Sequence, residues 1–180
     1  MPFDFAVLDF IRDNISNPFF DFIMPKITYL GSGGIIWIIT VVVMLIIRKY
    51  RRTGLKIACA LLLSLIICNI LLKPTVARIR PFDINTAIEL IISKPTDYSF
   101  PSGHTTASFA AAMVLVLSES KRIWIPAVII AILISFSRLY LYVHFPTDVL
   151  CGMVLGTVLA YLSSRLIDMI FKKKMKKSGI

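Results

Sequence analysis

Long apolar runs separated by short polar breaks dominate this chain, and their lengths decide the fold class. Ile27 to Ile47 gives 21 residues interrupted only by Thr28, Tyr29 and a GSGG run. At about 1.5 Å per helical residue this crosses a hydrocarbon core of about 30 Å. Thr53 to Leu72 is a second run of that kind, and Thr105 to Ser118, Ile123 to Tyr142 and Val149 to Phe171 follow, the first of these three being short. Five spans place the two chain ends on opposite sides. Before them, Phe3 to Ile15 sets Asp9, Arg12, Asp13 and Ser16 opposite Phe3, Val7, Phe10 and Ile11, the pattern of an interfacial helix. It has neither a basic leading segment nor a cleavage site, so it does not read as a signal peptide. Insertion together with Phe19 to Pro25 would make a sixth crossing and leave the later loops where they are. The expectation is an all-α, polytopic membrane helix bundle of about five transmembrane helices plus an N-terminal interfacial helix. It forms a single domain over 1–180 with a basic tail at 172–180.

Composition agrees with this pattern: 57% of the residues are hydrophobic and the mean hydropathy is +0.82, which excludes an ordinary soluble domain. The net charge of +10 is unevenly placed. Arg48, Lys49, Arg51, Arg52 and Lys56 follow the first span, Lys121 and Arg122 join the third to the fourth, and Lys172, Lys173, Lys174, Lys176 and Lys177 close the chain. All of them fall on one side. Short cytoplasmic loops retain Lys and Arg, so that side is the cytoplasm, and the charge reports topology rather than nucleic-acid binding. The tail also suits contact with anionic lipid. Most acids fall on the outer side, including Asp83, Glu89, Asp97 and Asp148. Cys59, Cys68 and Cys151 lie within spans without C-x-x-C or metal-ligand spacing, and read as small packing residues.

Three blocks on the outer side carry the chemistry. KPTVARIRP, Lys73 to Pro81, places Lys73, Arg78 and Arg80 where the positive-inside rule disfavours cations. Snorkelling would account for one of them, but an Arg fork beside a Lys charge suits a phosphoryl group, whose oxygens need several donors. PSGH, Pro101 to His104, opens the third span with helix-start residues. Free amides at a helix start bind anions, and Gly103 permits close approach to the backbone. SRLYLYVHFPTD, Ser137 to Asp148, sets Arg138 near the end of one span and His144 and Asp148 four residues apart across the next helix start. A carboxylate in that position can accept Nδ1–H and leave Nε2 as a nucleophile. A metal reading of the pair is disfavoured, because Lys73, Arg80 and Arg138 would repel a cation. Gly152 and Gly156 form a G-x-x-x-G pair for close helix packing. Ile84, Ala87, Ile88 and Ile91 make an apolar stripe at helical spacing in the outer loop, either an interfacial anchor or a rail for a lipid tail.

In order and spacing these blocks resemble the three signature motifs of the type 2 phosphatidic acid phosphatase superfamily, over roughly residues 73 to 152. The short chain and outward site look similar to small bacterial undecaprenyl-diphosphatases and phosphatidylglycerophosphate phosphatases. The resemblance implies a metal-independent, cofactor-free enzyme of the cytoplasmic membrane that hydrolyses a lipid phosphomonoester or diphosphate, with undecaprenyl diphosphate the favoured substrate. It implies that His144 attacks phosphorus to give a phosphohistidine while Asp148 orients it, and that His104 protonates the leaving oxygen and then activates water. Lys73, Arg80, Arg138, the Ser102 hydroxyl and the Gly103 amide would hold the equatorial oxygens. The alternatives are a phosphatidylglycerophosphate or phosphatidate phosphatase and a non-catalytic lipid-phosphate binder or transporter. A transporter is disfavoured because no inverted repeat or spare mid-span ionisable group is visible.

Overall fold

The computed structural model describes residues 2–177, with side chains through 173; most of the expected basic tail therefore lies outside the described side chains. The secondary structure is helical throughout the regular elements. Helix α1 (Pro2–Ile15) ends at a short break, where the Asn17 side chain accepts from the Phe19 and Phe20 amides at 3.0 and 3.1 Å. That cap, with proline in the first turn, starts α2 (Pro18–Gly31). A single 3₁₀ turn at Ser32–Gly34 joins α2 to α3 (Ile35–Ile46), and Gly33 and Gly34 take φ of +58° and +71° there. Only glycine adopts such angles without strain. The first membrane-length element thus runs from Pro18 to Ile46, beginning well before the Ile27 that hydropathy marked. Its extra turns carry exposed Phe19 and Phe22.

Helix α4 (Arg51–Ser64) continues without a break into a π-helical stretch, Leu65–Leu72, and α5 (Lys73–Val76); after an irregular link at 77–80 comes α6 (Pro81–Ile84). Helices α7 (Gly103–Ser118), α8 (Lys121–Tyr140) and α9 (Pro146–Lys177) complete the bundle. Among the described residues four stretches are long and apolar enough to cross a membrane, and α7 is the shorter fifth.

Helix α7 is the hub, packed against α4, α8 and α9. Lipid tails are as apolar as leucine, so helices in a bilayer associate through close packing and hydrogen bonds. Ala110, Ala111 and Ala112 are fully buried, and a methyl group at Gly156 would lie 2.5 Å from the Thr106 carbonyl oxygen. The G-x-x-x-G pair therefore seats α9 on the backbone of α7. Trp37 Nε1 donates to Ser108 Oγ at 2.9 Å inside the bundle, so a polar pair ties α3 to the hub. At the end of α4 and α9 remote from the three blocks, Asp168 accepts from Arg52 and Lys56 at 2.8 and 3.0 Å.

At the opposite end, α1 lies against the chain between α8 and α9. It buries Asp4, Leu8 and Ile11, whereas Phe3 and Phe10 point outward at 67% and 60% exposure. Leu8 packs with Tyr142 and Phe145. The expected outer-loop stripe does not form a helix, because α6 closes at Ile84 and residues 85–100 are irregular. Its members scatter: Ile88 joins the Leu8 cluster, Ile84 and Ile91 are exposed, and neighbouring Leu90 and Ile92 pack near Met24 and Phe82.

Candidate active site

The three blocks converge on one polar cleft of about 530 Å³, lined by Lys73, Arg80, Asp97, His104, Arg138 and His144 together with Thr28, Ser32 and Ile91. The cations and histidines come from element ends or the turns between them. Lys73 follows the π-helical stretch, Arg80 precedes the proline that opens α6, His104 sits in the first turn of α7, Arg138 in the last turn of α8, and His144 in the turn between α8 and α9. Lys73, Arg80 and Arg138 are only 6%, 3% and 4% exposed. Three buried cations in one cleft need anionic or acceptor partners.

Arg80 is fully engaged. Its Nε donates to the Asp97 carbonyl and Nη2 to Asp97 Oδ1, both at 2.7 Å, and Nη1 donates to the Val143 carbonyl at 2.5 Å. Nη1 also lies 3.2 Å from His144 Nε2. A guanidinium can only donate, so Nε2 presents its lone pair and the neutral ring carries its proton on Nδ1. Asp148 Oδ2 stands 3.6 Å from that Nδ1, longer than a hydrogen bond, and Nδ1 has no other partner among the described residues. Burial, with Arg80, Arg138 and Lys73 close by, holds the His144 imidazole well below its ordinary pKa, so it is neutral.

Asp148 is fully buried and heavily bonded. It accepts from the Phe145 amide at 2.9 Å, from Ser99 Oγ, and from Arg78 Nη1 at 2.5 Å. Arg78 lies 4.1 Å above the Phe145 ring and reaches Asp4 Oδ2 on α1 at 2.9 Å. Asp4 in turn accepts from the Thr147 amide at 3.2 Å. Sequence reasoning grouped Arg78 with the other cations, whereas its guanidinium serves Asp148. It singled out neither Asp4 nor Asp97 as a site residue. For Asp97 a signal existed: an acid shortly before PSGH, on the side holding three cations.

Arg138 Nη1 donates to Thr28 Oγ1 at 2.6 Å, while its buried Nε has no partner among the described residues. His104 Nε2 lies 3.4 Å from Ser32 Oγ. Ser102 is placed differently from its expected role: it is fully buried, its hydroxyl accepts from Thr105 as the cap of α7, and it does not line the cleft. Gly103 lies beside the cleft, and a methyl group there would sit 2.8 Å from Asn69 Oδ1. Among the described residues no cluster of His, Cys, Asp and Glu has the arrangement of a metal site.

A second cavity of about 530 Å³ adjoins the cleft and shares Lys73, Asp97 and His104 with it. Ile38 and Val41 of α3, Leu61 and Leu62 of α4, and Leu65 line it, with Asn69 and Gly103 near its polar end. The arrangement is an anion cradle opening into an apolar groove between membrane helices, with His104 at the junction.

Comparison with known proteins gives concordant results. The family model described as PAP2 superfamily matches residues 53–172. An undecaprenyl-diphosphatase from Sulfolobus acidocaldarius is 35% identical over 71% of this chain, which spans 62% of that relative's length. Phosphatidylglycerophosphatase B from Bacillus subtilis is 32% identical over 82% of this chain and 75% of its own. The crystal structure of Aquifex aeolicus LpxE superposes with a TM-score of 0.78 at 27% identity, covering 91% of this chain and 95% of that one.

Proposed function

The chain belongs to the PAP2 superfamily, and from that premise we propose that it is an integral-membrane lipid phosphatase that removes a terminal phosphate through a phosphohistidine on His144. The observation that carries this reading is the junction at His104. On one side lie the buried cations Lys73, Arg80 and Arg138; on the other lies an apolar groove of about 530 Å³. A substrate with a phosphate head and a lipid tail fits both halves at once.

In this mechanism His144 Nε2 attacks phosphorus while the proton on Nδ1 faces Asp148. Lys73, Arg80 and Arg138 stabilise the charge on the equatorial oxygens, the largest contribution in phosphoryl transfer. The Gly103 amide at the start of α7 adds to this, and Ser102 contributes by capping and orienting that helix. His104, between cleft and groove, protonates the leaving oxygen and then takes a proton from the hydrolytic water. The whole chain acts as one membrane-embedded unit. The cleft faces the outer side of the cytoplasmic membrane and the cationic loops face the cytoplasm.

For the substrate we favour a polyprenyl diphosphate, in keeping with the undecaprenyl-diphosphatase relative. The second reading is phosphatidylglycerophosphate, favoured by the larger share of both chains matched by the B. subtilis phosphatidylglycerophosphatase. A phosphate-release panel on the purified protein in detergent decides between them, using undecaprenyl diphosphate, phosphatidylglycerophosphate, phosphatidate and diacylglycerol diphosphate. No release from any of them would overturn the phosphatase reading. His144→Gln should abolish turnover. His104→Gln should slow monoesters more than diphosphates, because a diphosphate leaves more readily than an alcohol.

A further inference from the structure

Asp97 stands on the outer loop, outside all three sequence blocks, yet its carboxylate is shared between two of the cleft cations. Oδ1 accepts from Arg80 at 2.7 Å and Oδ2 accepts from Lys73. The cations are fixed in the wall, at 7% and 3% side-chain exposure, whereas the Asp97 side chain is 53% exposed. The acid is therefore the partner with room to swing away. Arg138, the third cation, makes no bond to it and keeps an unpartnered Nε among the described residues.

A phosphoryl group that spans Lys73, Arg80 and Arg138 must take the first two from Asp97. The reverse exchange matters as much. A buried cation stripped of its counter-charge is costly, so phosphate leaving this cleft unaided would expose three such charges together. A carboxylate tethered beside them has a high effective concentration and can replace the departing oxygens one by one.

Building on the phosphate site proposed above, we infer that Asp97 is a positioning residue acting through Lys73 and Arg80: an internal counter-ion that exchanges with the phosphoryl group and thereby lets product phosphate leave. Its effect is on uniform binding. It weakens substrate and product by the same factor and leaves the chemical step alone. A merely structural Asp97, one that orients the two cations, would have the opposite effect on affinity.

The test compares wild type, Asp97→Asn, Asp97→Ser and Asp97→Glu as purified full-length protein in detergent. Inorganic phosphate binding is measured by calorimetry, and KM and kcat on a lipid phosphate are measured in parallel. Both neutral variants should bind phosphate at least about tenfold more tightly, equivalent to about 1.4 kcal/mol. KM should fall by a matching factor with kcat unchanged or lower, and Asp97→Glu should stay near wild type. Phosphate binding that weakens, stays the same or is absent in the neutral variants overturns the proposal. Asp97→Ser decides should Asp97→Asn fail to fold. If the wild type binds phosphate but hydrolyses no lipid phosphate, the phosphatase reading falls while the binding comparison still decides the role of Asp97.

Discussion

Arg78 Nη1 lies 2.5 Å from Asp148 Oδ1, so the carboxylate beside His144 is held by a cation from a different sequence block. Removing one member of a buried pair leaves the other uncompensated and costs about 3 to 5 kcal/mol. Arg78 is 16% exposed and Asp148 fully buried, so Arg78→Met should destabilise by the lower part of that range. It should also reduce kcat more than it raises KM, because in the proposed mechanism Asp148 faces the attacking His144 rather than the phosphate. Denaturation midpoints and steady-state kinetics check both, and a variant with full stability and full kcat would remove Arg78 from this role.

Protonation of His144 gives a pH signature. Its imidazole is held below the ordinary value of about 6.5, so beneath pH 6.5 the unfolded chain binds more protons than the folded one. The neutral ring thus favours the folded state above about pH 6.5, and that advantage is lost as pH falls, by at most about 1.4 kcal/mol per unit. The groups facing the ring are Arg80, Arg138, Lys73, His104 and Asp148. Thermal midpoints of wild type and His144→Asn between pH 7 and 5.5 should therefore converge as pH is lowered. Parallel curves would contradict a buried neutral ring.

Fixed cations in place of a metal predict resistance to chelators. Turnover should persist in excess EDTA and be blocked by vanadate, which mimics the trigonal-bipyramidal phosphoryl group. Loss of activity on chelation with recovery on adding magnesium or zinc would refute the cation-cradle mechanism.

The apolar groove predicts dependence on chain length. Leu62 lines it and is 57% exposed, so Leu62→Trp should narrow the passage without touching the cations. KM for a long-chain lipid phosphate should rise several-fold, while a short-chain analogue is unaffected. Equal effects on both would place the tail elsewhere.

Much of this architecture was legible in the sequence because a bilayer imposes a length rule. Twenty-residue apolar runs announced the spans, and a short third run announced α7. The convergence of Lys73, Arg80, His104, Arg138 and His144 followed from their place at span ends on one side. The start at Pro18 was less visible, since Asn17 as a cap is a local hydrogen-bond feature that hydropathy does not register. The pairings of Asp4, Arg78 and Asp97 were hidden for a different reason, although Arg78 and the acid before PSGH were themselves visible. Each acts through a partner more than fifteen residues away, and one sequence carries no record of such pairings. Ser102 shows the converse: its type matched an oxygen ligand, but its side chain is fully buried at the start of α7 and does not line the cleft.

The brevity of α7 has a consequence for how substrate reaches the protein. Sixteen residues span about 24 Å, roughly one helical turn less than a hydrocarbon core of about 30 Å. A lone helix of that length would thin the bilayer around it, but α7 is encircled by its neighbours and meets little lipid. At its first turn His104 lines a polar well with Lys73, Arg80 and Arg138, and the apolar groove adjoins it. With a phosphate headgroup in such a well and its tail in the groove, the proposed hydrolysis does not require extracting the lipid into water.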